Sequence, residues 1–419
     1  MRSLYERALH SRQSVPSAGW CTMRTRSSAR LVQAYAHPAL LSLDVLSNTL
    51  SYVEVKDGCK FSVAVICKDW RDAWRRRCAG LYRVLRVGAG DFSFADHVGL
   101  SCHGVLVADY GHSCLQQMQW DGAEMDVYGG LDTPSAVAPG PGTTVWVVNH
   151  DSEGLACLDL EDVDEENRLN QDSPVLWATL EGYAEGTGME QLLADYRPQD
   201  VAAAGGMLLV LCTTGSAFSG GVYGRVAVLG RSTGRVYSVF GTNDDTGATI
   251  AIDELRGPSS LAVRDSYCFI ADRYNQRIAV FDWQQGTFVR SIGRDGTAPI
   301  LDIGDEAYWD DDYEDERRGT GPGEFYEPYG VAVRGNTLFV SESGGRRIQL
   351  LRLPDDLANT SKPVEALQVI PSPDGRELSG LCLEGNPPYD RLWCLGPAMA
   401  QGGTTADRRS CVHILGPCV

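Results

Sequence analysis

Short apolar runs alternate with polar turns from about Tyr82 to the end of the chain, and the runs recur at a fixed spacing. Fourteen residues after Pro258 comes Asp272, with Leu261, Val263 and Ile270 between them. Fourteen residues after Pro328 comes Glu342, with Val331, Val333 and Val340 at the same offsets. Each acidic residue leads through a turn into another apolar run, DRYNQRIAVF in one case and ESGGRRIQLL in the other. Glu254 to Gly296 therefore reads as four short strands within about 40 residues, the size of one β-propeller blade.

The unit recurs six times. The first copy carries Ala95, Val98, Leu100, Val107 and Asp109; the second opens at Pro134. The third opens at Pro198, with Val201, Ala203, Val210 and Cys212 in register. The fourth and fifth are the two already described, and the sixth holds only three strands, LSGLCLE, RLWCLG and SCVHILG. Tyr82 to Gly88 is patterned like Phe288 to Arg294, the outermost strand of the fourth unit. It is predicted to pair with Ser410 to Leu415 and to close the ring, which hides the edges an open array would expose.

The preceding segment has a different period. Leu43, Leu46, Leu50 and Val53 fall on one helical face, and Val63, Ile66, Trp70 and Ala73 on another. The pattern predicts an all-β six-bladed propeller over 81–419 closed by strand 82–88, a small helical segment over 37–80, and a disordered basic tail over 1–36. Six arginines and a single acid, Glu6, mark that tail, a composition that organelle transit peptides share.

Charge sharpens the division. The net charge of −18 splits into +7 over residues 1–80 and −25 over the rest. An acidic propeller repels phosphate backbones, so nucleic acid is not an expected partner. The longest apolar stretch, Val201 to Cys212, is short and broken by glycine, so no membrane span is expected. Thirteen scattered cysteines without a Cys-x-x-Cys pair argue against a disulfide framework or a structural zinc site. Cys157, Cys212, Cys268, Cys382 and Cys394 lie in apolar runs and read as buried thiols, which points to the cytoplasm or nucleus.

Pro258-x-x-Leu261-Ala-Val263, Phe269-Ile270-Ala271-Asp272 and Asn275-x-Arg277-Ile278-x-Val280-Phe281 resemble the NHL repeat. Val45 to Val53 and Val65 to Trp74 resemble the two halves of an F-box, with Ser42-Leu43-Asp44 where a Leu-Pro pair usually stands. The two resemblances together imply a non-enzymatic substrate receptor of a cullin-RING ubiquitin ligase. Val45, Leu46, Leu50, Val53, Val65, Cys67 and Trp70 would then bury against a Skp-type adaptor, and the propeller would hold a protein or basic-peptide substrate.

The acidic run between the fourth and fifth units carries the candidate partner residues Trp309, Asp310, Asp311, Asp312, Tyr313 and Glu314, with Tyr326 beyond. It reads as a solvated loop or as a docking site where Arg or Lys pairs with carboxylates and stacks on rings. Asp272, Asn275 and Arg277 read as a turn that satisfies its own backbone. No His-Glu-x-x-His, Gly-x-Ser-x-Gly or phosphate-loop motif occurs, so no catalytic residue, metal or cofactor is expected. Two alternatives remain: a general NHL scaffold unrelated to ubiquitin, and a metal-dependent propeller hydrolase or lyase with His97, His112 or His150 as channel ligands.

Overall fold

The computed structural model describes residues 20–24, 31–35, 82–102, 104–119, 124–149, 154–170, 196–214, 223–241, 252–293, 319–384, 391–396 and 410–417. The F-box-like segment expected over 37–80 lies outside them. Within the expected basic tail, Trp20–Arg24 and Leu31–Tyr35 pair as an antiparallel ladder. This ladder belongs to a different compact unit from Arg83–Gly416. No described helix is long and apolar enough to cross a membrane.

Arg83–Gly416 holds six antiparallel sheets, one per repeat of the sequence pattern. Blade four is the plainest case: Pro258–Arg264, Tyr267–Asp272, Arg277–Asp282 and Thr287–Gly293 pair in chain order. The innermost strands touch in sequence around a closed ring, the sixth returning to the first. In blade six, Leu381–Glu384, Arg391–Gly396 and Ser410–Pro417 are followed by Tyr82–Phe92, the closing strand that the sequence predicts. A bond from the Ala95 N–H to the Ser410 hydroxyl, 3.0 Å, ties the first blade to the last.

The core is a series of seams between neighbouring blades. In blade four, Phe269, Ala271, Ile278 and Val280 pack with blade five. Their neighbours in sequence, Cys268, Ile270, Ala279 and Phe281, pack with blade three. Successive side chains of a strand point to opposite faces, and both faces are covered. That explains why the inner strands read as continuous apolar runs. The closing strand takes part as well: Phe92 is fully buried beside Trp393 and Val412.

One acidic position repeats through the fold. Asp272 accepts the backbone N–H of Arg256 at 2.7 Å, and Glu342 that of Tyr326 at 2.8 Å. Asp109 accepts that of Ser93 at 3.0 Å. Each pair is sixteen residues apart, and each pegs the chain two residues before an innermost strand begins. Four residues past each acid, Ser113, Gln276 and Arg346 adopt left-handed backbone, with φ of 51, 54 and 47°.

Candidate channel-mouth site

The innermost strands carry an irregularity at the same place in five blades. Pairing with the second strand skips between Ala95 and His97, Pro134 and Ala136, Pro198 and Asp200, Pro258 and Ser260, and Pro328 and Val331. A bulge of this kind releases a residue from the ladder and re-aims its side chain. The released residues Ser135, Gln199, Ser259 and Tyr329 line one mouth of the central channel, with His97, Ser260 and Gly380. Every blade therefore supplies a lining residue. The cleft is a narrow recess open to solvent, with about 10 Å³ of room, space for a water-sized group and far below the ~300 Å³ of drug-sized pockets.

His97, at this mouth, pairs with Asp200 of blade three. His97 Nε2 lies 3.0 Å from Asp200 Oδ1, and its Nδ1 accepts the Val137 N–H at 3.2 Å. An Nδ1 that accepts leaves the proton of the neutral ring on Nε2, directed at the carboxylate. Asp200 is almost fully buried and is held by the N–H groups of Val201, 2.7 Å, and Leu261, 2.8 Å. The couple thus links blades one to four. The Ser259 hydroxyl donates to the Tyr329 carbonyl of blade five at 2.7 Å. Close backbone approach keeps the wall tight: a Cβ on Gly99 would stand 2.2 Å from the Val137 carbonyl oxygen.

The arrangement offers hydroxyl and amide groups to a small polar molecule. Among the described residues, neither Lys nor Arg lines the cleft. Among the described residues only two metal-capable side chains meet here, His97 and Asp200, and they bond each other and backbone amides. The set does not fit a resident channel metal, which needs three or more ligands. His112 sits instead at the Asp109 turn, its Nδ1 2.8 Å from the carboxylate, and His150 lies outside the described residues.

The other sequence-derived candidates fall elsewhere. The adaptor-binding set Val45, Leu46, Leu50, Val53, Val65, Cys67 and Trp70 lies outside the described residues, as do Trp309, Asp310, Asp311, Asp312, Tyr313 and Glu314. Tyr326 is described: its N–H bonds Glu342 and its ring packs over Gly344, so it serves the turn. Asp272, Asn275 and Arg277 form a buried, mutually bonded group, as expected of a structural turn. Burial pushes the Asp272 carboxyl above its ordinary value, while Arg277, Asn275 and the Arg256 N–H pull it down.

No protein-family model matches the chain, and no curated protein matches it by sequence. Solved structures do match its fold. A luciferin-regenerating enzyme superposes with a TM-score of 0.52 at 15% identity, over 80% of this chain and 95% of its own. A PQQ-bound aldose sugar dehydrogenase from Streptomyces coelicolor follows at 0.48 and 14%, over 81% and 98%. A gluconolactonase from Xanthomonas campestris gives 0.46 and 12%, over 80% and 89%. The first superposition agrees with the six-bladed all-β architecture.

The expectation of a non-enzymatic ubiquitin-ligase receptor is corrected: a solved protein with this architecture is named as an enzyme, and the likeness to it carries the fold alone. The receptor reading rested on the F-box-like segment before the propeller and on the acidic loop between blades four and five, both outside the described residues, and the polar channel mouth has no linear motif.

Proposed function

We propose that the chain is a propeller enzyme, a hydrolase or lyase that opens an ester, lactone or related C–O bond of a small neutral substrate at the channel mouth. The observation that carries this reading is the convergence of bulge-released polar residues beside the buried His97–Asp200 couple. The enzymatic character of a solved protein with the same architecture supports it.

Asp200 holds the Nε2 proton and leaves the Nδ1 lone pair as the basic site. The 3.2 Å bond from the Val137 N–H is the longer of the two bonds to the ring, and it is the one a substrate proton or attacking water would replace. Ser135, Gln199 and Tyr329 orient the substrate through hydrogen bonds. The hydroxyl and amide groups of the described lining suit an uncharged polar substrate.

The test is turnover of a panel of lactones and simple esters by the full chain, with His97→Gln and Asp200→Asn compared at equal thermal stability. Loss of about 100-fold or more in kcat/KM in both variants is the expected result. Unchanged turnover in His97→Gln, or no turnover across the panel, overturns the proposal.

A further inference from the structure

A second cluster lies in blade six, away from the channel mouth. Cys411 and His413 are two residues apart on Ser410–Pro417, so their side chains share one face of the sheet. Cys411 pairs across the ladder with Gly396, and His413 with Cys394. Gly396 has no side chain, and that keeps the space between the two clear. A Cβ there would stand 3.1 Å from His413 Nε2 and 3.2 Å from Cys411 Sγ.

Asp374 reaches the same space from the turn that follows Glu365–Pro371 in blade five. The turn is pre-shaped. The Ser372 N–H bonds the Arg346 carbonyl at 2.8 Å, and the Ser372 hydroxyl and Arg376 N–H both bond Asp374 Oδ1, at 3.2 and 3.1 Å. The Arg376 Nε holds Oδ2 at 3.3 Å.

Three possible ligand atoms then face one another. Cys411 Sγ is 3.6 Å from His413 Nε2 and 3.4 Å from Asp374 Oδ2; His413 Nε2 is 3.4 Å from Asp374 Oδ1. A tetrahedral zinc ion with bonds of about 2.0–2.3 Å separates its ligand atoms by about 3.4–3.6 Å. Among the described residues this is the one group of three or more such side chains close enough to share an ion. The geometry points to a divalent metal site formed by Asp374, Cys411 and His413, selective for zinc or a similar borderline-soft ion.

One thiolate, one imidazole and one carboxylate make a three-ligand set, which leaves a fourth position for water or another donor. Binding releases the thiol proton to solvent, so the metal exchanges for a proton and no oxidant is needed. The ion would join the turn after blade five to the third strand of blade six, beside the closing strand. It therefore stabilises the ring by mass action. A plain hydrogen-bonded cluster is the competing account, with the thiol donating to Asp374.

The test uses the full chain stripped by a chelator and titrated with Co²⁺, then with Zn²⁺ as competitor. The expected result is one equivalent of Co²⁺ giving a thiolate-to-cobalt charge-transfer band that Zn²⁺ abolishes, together with a higher Tm. Cys411→Ser should remove the band, and Asp374→Asn, on a surface turn, should weaken binding by about 10-fold or more. Cys102→Ser should leave both unchanged. A Co²⁺ band that survives Cys411→Ser, or no band and no Tm shift in the parent chain, overturns the site and leaves the hydrogen-bonded cluster.

Discussion

Arg277 places its Nε 2.7 Å from Oδ2 of Asp272, and both side chains are closed to solvent. The guanidinium also donates to the Glu254 carbonyl at 2.8 Å and the Ser291 hydroxyl at 3.2 Å. Asn275 gives Asp272 Oδ2 a further bond of 2.8 Å. Arg347 and Gln349 surround Glu342 in the same way one blade later. In these two blades the groups join the turn between the second and third strands to the entry of the innermost strand. They are fastenings of the ring, which is why they recur where no chemistry is called for.

Removing one partner strands the other. Asp272→Ala leaves a buried guanidinium unpaired and is expected to destabilise the chain by about 3–5 kcal/mol. Urea unfolding followed by tryptophan fluorescence measures the loss. Asp272→Leu with Arg277→Met should recover most of it, because replacing both partners removes the stranded charge. A double variant as unstable as the single one would show that the backbone N–H of Arg256 is the larger debt.

Closure has its own signature. Ser410→Ala leaves the buried Ala95 N–H without its hydroxyl acceptor, an expected loss of about 1–3 kcal/mol. Phe92→Ala opens a cavity against Trp393 and should cost about 3–5 kcal/mol. Both losses should appear in a single thermal transition of the propeller. A separate low-temperature transition confined to blade six would contradict the account of closure.

The cysteines should react unequally. Burial pushes the Cys212 thiol up to about 12 and raises Cys157, Cys268, Cys382 and Cys394 as well. The thiolate is the reactive form, so at pH 8 these groups stay protonated as well as covered. Iodoacetamide on the native chain should modify exposed Cys102 and spare those five until urea is added. Peptide mass spectrometry reads the outcome, and labelling of Cys212 in the native chain would contradict the structure.

Gly99 tests the packing of the inner ring. Its α-carbon lies against the backbone of blade two, where a Cβ would meet the Val137 carbonyl oxygen at 2.2 Å. Backbone cannot swing aside as a side chain can. Gly99→Ala is expected to cost about 1–3 kcal/mol or more and, by shifting Val137, to disturb the bond to His97 Nδ1. The change in His97 is measurable as a shift of its imidazole resonances.

The propeller was legible because two strands and a tight turn fix an offset that the pattern repeats. Pro258 pairs with Asp272 and Pro328 with Glu342, as their equal spacing implies. The closing role of Tyr82–Phe92 was legible from its likeness to an outer strand of another blade. The strand Leu255–Arg256, which pairs with Tyr223–Gly230, was missed because two residues carry no period.

The channel mouth was only half visible. His97 drew notice as a histidine, but its partner Asp200 did not. His97 stands two residues past Ala95 and Asp200 two past Pro198, each just after the pairing irregularity, and aligning the repeat units at Ala95 and Pro198 would have shown this. The bulges that aim Ser135, Gln199, Ser259 and Tyr329 inward leave no mark in residue type. They are a property of pairing, which only the folded ring displays.

The closing strand also sets a timetable. Tyr82–Phe92 is the first propeller strand to leave the ribosome, and its partner, Ser410–Pro417, is the last. At ~5–20 residues per second, about 15–65 s separate the two. Throughout that interval the nascent chain carries an unmatched edge, including an aromatic side chain that the finished protein hides completely. Synthesis rate and chaperone attendance, more than the stability of the completed ring, should therefore govern how much of this chain reaches its native state.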